Sequence, residues 1–318
     1  MKFIGNKFRL LDFISSVLEN NNIKDGTLMD LFAGTANVGR HFKRLGYKII
    51  STDILEFSYA FQKAFIEIND YPKFDNLKLP SNIKVSKCLD DFILNNNNDY
   101  DRILRLKKII CYLNTLQGEE GFIYRNYSEG GTLKDTYKRR YFSDSNARRI
   151  DTIRNKLEYW KNNNLINENE FYLLLSELID KSDYVANNSG TYGAYLKIWR
   201  SMALKPLILE MPQVIRDTKN HEVYKLDANK LVRLKSCDIA YIDPPYNSRQ
   251  YSANYHLLET IACWDNPKIY GKTGLRPHKD KDSDYSIKRK ATKAFQDLID
   301  NLDAKHILVS YNNEGLIP

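Results

Sequence analysis

Asp243-Pro244-Pro245-Tyr246 follows directly on the apolar run Ile239-Ala240-Tyr241-Ile242. Two consecutive prolines at a strand exit donate no backbone hydrogen bond and fix φ, and Pro244 drives Asp243 toward extended backbone. The product is a rigid shelf carrying a carboxylate, outward carbonyls and an aromatic ring. Such a shelf suits a planar amino-purine. The Asp243 carboxylate and the Pro244 carbonyl each accept one hydrogen of an exocyclic amine, while Tyr246 stacks on the ring. The lone pair of such an amine is delocalised into the ring, so two acceptors on its hydrogens move the nitrogen toward a tetrahedral nucleophile. Asp243 then offsets the positive charge that develops as a methyl group transfers. A bare tetrapeptide of this kind also reads as a strand end with a turn; the apolar strand before it and the motifs below weigh against that.

A second motif, Asp30-Leu31-Phe32-Ala33-Gly34-Thr35, closes the apolar run from Thr27 to Phe32. Gly34 lets backbone approach a ligand closely at a helix N-terminus. Neither GxGxxG nor a Walker lysine is present, so a phosphate cradle is not supported. Asp53 stands about 20 residues on, at the end of the next apolar run, where a carboxylate takes ribose hydroxyls. Together these residues point to an adenosine-bearing cofactor. Phe3-Ile4-Gly5-Asn6-Lys7 is a short turn before a helix and says little alone. Asp227, at the end of the strand-like run Val223 to Leu226, reads as an N-cap for the segment that follows, a role compatible with one in the site.

The elements that must hold these residues alternate. Helical spacing runs from Lys7 to Leu18, a strand from Thr27 to Phe32, a helix from Val38 to Leu45 ending at Gly46, a strand from Tyr47 to Thr52 and a helix from Phe57 to Ile68. This rhythm predicts a parallel sheet with ligands at the C-terminal strand ends. From Asp99 to Met211 the pattern is charged and helical, as in Ala147 to Trp160, with breaks at Gly130-Gly131 and Gly190 to Gly193. Strands return at Val223 to Leu226, Ile239 to Ile242 and His306 to Val309. The expected organisation is residues 1–98 and 223–318 as two halves of one α/β domain, with 99–222 as a largely helical insertion. Asn20 to Asn22, Asn95 to Asn98 and Asn162 to Asn164 read as loops.

Composition bounds the partners. The 318 residues are 42% hydrophobic and 28% charged, which excludes global disorder. No stretch of about 18 residues is free of charge, so no spanning helix is expected, and Lys7, Arg9 and Asp12 interrupt any secretory signal. Cys88, Cys111, Cys237 and Cys263 form no CxxC pair, so neither zinc nor a disulfide framework is indicated and a reducing cytoplasm is expected. A net charge of +8 permits a polyanionic partner without requiring one.

In this order the four signals, namely the N-terminal turn, the Asp30 to Thr35 loop, the insertion and Asp243 to Tyr246, resemble the Dam-like N6-adenine DNA methyltransferases of the alpha motif order, with the DPPY-type motif of restriction-modification enzymes. The resemblance covers most of the chain. It implies a Rossmann-like sheet that binds S-adenosylmethionine, with the helical insertion as target-recognition region. It implies that Phe3, Gly5 and Lys7 contact cofactor and site, that Asp30, Phe32, Ala33 and Gly34 surround the methionine part, and that Asp53 takes the ribose. Asp227 falls near the cofactor adenine, and Asp243, Pro244, Pro245 and Tyr246 form the catalytic motif. Double-stranded DNA is the implied substrate, and a cognate restriction endonuclease the implied partner. Tyr141 to Asp151 and Gly190 to Lys197 resemble further blocks of such enzymes. Arg249, Lys279, Lys288, Arg289 and Lys290 are the candidate phosphate contacts, although a charge run is more often a solvated face. Two further strands are expected after His306 to Tyr311 in this family, so the chain reads as a fragment, a split half or a natural truncation. Two alternatives stand beside this reading. One is the same fold acting on RNA or a protein amide, against which Asp rather than Asn at position 243 counts. The other is a non-catalytic DNA-binding remnant or subunit.

Overall fold

The computed structural model describes residues 4–83 and 100–317, which fall into two compact units. One unit gathers Phe3–Asn69, Ile215–Glu259 and Pro277–Pro318. Its sheet holds β1 (Thr27–Asp30), β2 (Lys48–Thr52), β3 (Glu222–Tyr224), β4 (Cys237–Ile242) and β5 (Ala304–Val309), all parallel, in the order β3-β2-β1-β4-β5. This is the α/β, Rossmann-like architecture that the sequence implies. Strand order reverses between β1 and β4, and open sheets of this kind bind ligands at the carboxyl ends beside such a reversal. Register brings those ends level, since Asp30 pairs with Ser51 on one side and Tyr241 on the other.

The strands read as unbroken apolar runs because both of their faces are covered. Met29, Ile50, Ala240 and Ile242 pack against Leu231 and Leu298, while Leu28, Ile49 and Ile239 are equally buried on alternate positions. The helix expected across Phe57 to Ile68 is split: Glu56–Gln62 is α, and Lys63–Glu67 is a single π turn. Buried Lys43 meets the end of this turn, its ammonium donating to the carbonyls of Ile66 (2.7 Å) and Ile68 (2.8 Å). At the edge of the sheet, Ile307 and Val309 of β5 remain 45% and 43% exposed. Two of the three Asn runs close helices: Asn22 (φ 59°) and Asn164 (φ 54°) take the left-handed conformation just past Leu11–Asn20 and Asp144–Asn162. Asn95 to Asn98 lie outside the described residues.

The second unit is helical: Tyr100–Thr115, Phe122–Tyr127, Asp144–Asn162 and Glu168–Tyr184 pack around Ile110, Ile150, Leu157, Leu174 and Leu178. Its extent differs from the expected 99–222. It comprises Asp70–Val214 and Thr260–Arg276, the latter stretch having been assigned from sequence to the C-terminal half. Buried arginines explain that membership. Arg154 donates to the carbonyls of Ile261 (2.8 Å) and Ala262 (3.1 Å), and Arg139 to that of Gly271 (3.0 Å). Asp151 is buried too, and its carboxylate accepts the N–H groups of Gly121, Ile123 and Tyr124 at the start of Phe122–Tyr127. Among the described residues no helix is long and apolar enough to cross a membrane.

Gly131 leaves no room for a side chain, because a Cβ there would stand 1.9 Å from the Tyr124 carbonyl oxygen. Gly131→Ala is therefore expected to lower stability by about 1–3 kcal/mol or more, read as a fall in the urea midpoint at unchanged slope.

Candidate active site

In the sheet unit, the strand ends and the N-terminal turn line one pocket. Gly5 and Lys7 reach it from the turn, and Asp30, Phe32, Ala33 and Gly34 from the loop after β1. Asp53 follows β2, Asp227 follows β3, and Asp243, Pro244, Pro245 and Tyr246 follow β4. Phe3 lies outside the described residues.

Lys7 forms an ion pair with Asp243, Nζ to Oδ1, at 3.0 Å. Burial is the larger influence on the Asp243 carboxyl and pushes it up to about 6; Lys7 works in the opposite direction. The turn that delivers Lys7 is fixed by two tyrosines. The Tyr255 hydroxyl accepts the Ile4 N–H at 2.7 Å, the Tyr251 hydroxyl donates to the Ile4 carbonyl at 3.3 Å, and the two rings stack. Asn6 ties the same turn to the β1 loop by accepting from Asn37 Nδ2 at 2.8 Å.

The β1 loop is held by its neighbour. Ala33 N–H donates to the Thr52 carbonyl (3.1 Å) and Gly34 N–H to Asp53 Oδ2 (2.9 Å), with Gly34 at φ 52°. The other Asp53 oxygen accepts Leu55 N–H at 3.0 Å. Asp53 thus orders two loops with the same carboxylate that faces the pocket, and burial raises it to about 6 against those two N–H groups. Behind it, buried Glu259 accepts the N–H groups of Glu56 (3.0 Å) and Phe57 (3.1 Å), closing the N-terminus of Glu56–Gln62, and is paired with Lys281 at the pocket rim.

Asp30 is 1% exposed, and neither of its oxygens has a hydrogen-bond partner among the described residues. Burial first, then the Asp243 charge, push its carboxyl up to about 7. Asp227 occupies the N-cap position of Ala228–Leu231, yet its side chain makes no capping bond and lines the pocket. Its capping role is limited to the backbone carbonyl, which accepts from Lys230 and Leu231.

The candidate phosphate contacts do not border the pocket. Arg249, Lys279, Lys288, Arg289 and Lys290 are exposed, and Lys290 pairs with Asp284 at 2.9 Å. Sequence reasoning missed Glu259 and the reciprocal amide pair in which Gln250 bonds the backbone N–H and carbonyl of Ser283. A glutamate within an ordinary apolar helical run carries no local signal of a partner near residue 56.

A glycine loop, an unsatisfied buried carboxylate and a second carboxylate one strand over make a cradle suited to a hydroxyl-bearing ligand with positive charge. Beside it stands an acceptor shelf for an amine. These features lie together at the carboxyl ends of the parallel strands of an α/β unit. The chain belongs to the D12 class N6 adenine-specific DNA methyltransferase family, which it matches over residues 3–314. It is 44% identical to the Type II methyltransferase M.FokI of Planomicrobium okeanokoites, over 100% of this chain and 45% of that protein. It is 38% identical to the modification methylase StsI of Streptococcus sanguinis, over 100% of this chain and 44% of that one. With the Type II methyltransferase M.NlaIII of Neisseria lactamica the identity is 37%, over 100% of this chain and 85% of the relative. The chain therefore spans less than half the length of the first two. No solved structure matches it.

Because folding raises the Asp30 carboxyl from 3.8 to about 7, the folded protein holds a proton that the unfolded chain releases, and stability declines as pH rises between those values. Asn at this position carries no such charge. Asp30→Asn should raise stability at pH 8 by roughly 1–3 kcal/mol and change it little below about pH 4, read from paired urea melts at the two pH values.

Proposed function

We propose that this chain transfers a methyl group from S-adenosylmethionine to the N6 amine of adenine in duplex DNA, as the modification arm of a restriction-modification system. The observation carrying this reading is the convergence of Asp243, paired with Lys7, with Asp30, the Gly34 loop and Asp53 in one pocket at the β1/β4 reversal. The modification methylases among its relatives support it. A cytoplasmic setting, and a cognate endonuclease acting on the same sites, belong to the same reading.

When bound, S-adenosylmethionine supplies a methyl group on a positively charged sulfur. Phe32, Ala33 and Gly34 would hold its methionine part, Asp53 would accept from the ribose, and Asp227 would face its adenine. Target adenine, turned out of the stack because its amine is otherwise paired, rests on the proline shelf with Tyr246 on its face. Ionised Asp243 and the Pro244 carbonyl accept the two amine hydrogens and aim the lone pair. Lys7 keeps Asp243 charged in its buried position. The amine proton becomes acidic only as charge develops, so proximity and electrostatics outweigh general-base catalysis. The helical unit serves as the target-recognition region.

Lys288, Arg289 and Lys290 form the first turn of Lys288–Asp300, where cations oppose the helix dipole. Three of them at that position favour an anionic partner over a role in stability. With Arg249 and Lys279 they are the proposed phosphate contacts.

Asp243→Ala should lower methyl transfer to unmethylated phage DNA by at least about 10²–10³-fold while leaving cofactor affinity largely intact. Tritiated-methyl transfer with DNA, RNA and protein acceptors measures this; near-normal turnover in the variant, or preference for RNA or protein, refutes the assignment. Since Asp243 acts ionised, wild-type kcat/KM should fall as pH drops through about 6, and Lys7→Gln should move that limb to higher pH. Replacing Lys288, Arg289 and Lys290 together by Gln should flatten the salt dependence of DNA binding by about 0.9 in log–log slope for each phosphate no longer neutralised, measured by fluorescence anisotropy.

A further inference from the structure

We propose that Asp30 selects the positively charged methyl donor over its neutral thioether product, by holding a proton while the pocket is empty and releasing it to solvent when the sulfonium binds. The inference rests on the reading of this pocket as the cofactor site.

The three carboxylates of the pocket differ in what faces them. Asp243 has Lys7, and Asp53 has the N–H groups of Gly34 and Leu55. Asp30 is buried as deeply, yet among the described residues no donor bonds either oxygen; the N–H groups of Phe32 and Gly39 favour its ionised form only from outside hydrogen-bonding geometry. The groups facing it are Asp243 from the end of β4, Asp53 from the end of β2 and the phenol of Tyr241 on β4, with Lys7 already engaged by Asp243. An unpartnered carboxylate beside two others takes up a proton rather than remain charged. Its carboxyl accordingly titrates near neutrality, at about 7.

The geometry also identifies which positive charge relieves it. On that reading methyl transfer occurs at Asp243, which follows β4, the strand paired with β1 that ends in Asp30, and both carboxylates line the same pocket. The sulfur is bonded directly to the transferring methyl, whereas the ammonium group lies at the far end of the methionine chain. A sulfonium beside Asp30 supplies the missing cation, and the proton leaves. During transfer the amine lone pair forms the new N–C bond and the S–C pair returns to sulfur. Positive charge passes from sulfur to the amine, which then sheds one proton. Asp30, now facing a neutral thioether, takes one up. The carboxylate therefore stabilises the donor complex and withdraws that stabilisation from the product complex.

The test is isothermal titration calorimetry of the full chain near pH 6.5, in phosphate and in imidazole buffers, with S-adenosylmethionine and with S-adenosylhomocysteine. The expected result is release of more than half a proton with the donor and almost none with the product. Asp30→Asn, with its fold checked by circular dichroism, should abolish the release and narrow the donor-to-product affinity ratio by roughly tenfold, the equivalent of one pKa unit. Equal proton release with both ligands, no buffer dependence in the wild type, or release retained in Asp30→Asn would overturn the proposal. The wild-type comparison of donor with product decides the matter even if the variant does not fold. Failure of the wild type to bind either nucleoside would overturn the cofactor reading itself.

Discussion

Asp30, Asp53 and Asp243 stand at the carboxyl ends of three adjacent parallel strands, β1, β2 and β4, in a pocket that shields all three from water. Burial pushes each carboxyl well above its ordinary value, and the charges of Asp243 and Asp53 raise Asp30 further. Everything else about the site follows from how that cost is distributed. Asp243 is offset by a lysine from the opposite end of the chain, and Asp53 by two backbone N–H groups. Neither oxygen of Asp30 has a hydrogen-bond partner among the described residues. A buried carboxyl raised in this way lowers the stability of the folded protein as pH rises, a cost of the kind retained where a site needs the group.

That distribution places demands on residues outside the motifs. Lys7 reaches Asp243 only because Tyr251 and Tyr255 hold the turn through Ile4 and Asn6 ties it to Asn37. Asp53 faces the pocket only because its loop runs into a helix whose first N–H groups end on Glu259. These supports come from segments far apart in sequence, and each replaces a solvent contact with a fixed one.

Much of this was legible beforehand. The strands announced themselves as apolar runs, those of β1 and β4 stopped by Gly or Pro, and acidic residues at the ends of β1 to β4 marked the pocket, because parallel strands buried on both faces leave little room for polar residues except at the exits. The supporting bonds were not legible, since a side chain that meets a distant peptide N–H, as Glu259 does, leaves no periodic trace. Thr260–Arg276 illustrates the same limit. Its place in the helical unit depends on Arg154 and Arg139 meeting bare carbonyls, and in sequence both look like surface charges. Lys43 likewise lies on the buried face of its helix with Val38, Gly39 and Phe42, where its charge gives no local sign that the carbonyls of Ile66 and Ile68 receive it.

The central strand pair carries a consequence for how the protein is made. Thr27 N–H bonds Asp238 Oδ2 across 211 residues, and β1 lies beside β4 along most of its length. On the ribosome, β1 and β2 emerge long before β4, so one side of β1 stays open while the whole helical segment is synthesised. Pairings over such a span are slow to form and leave strand edges vulnerable to the wrong neighbour. The Asp243 side of the pocket, which follows β4, is therefore added only after β1, β2, β3 and the long helical stretch between β2 and β3 have been made.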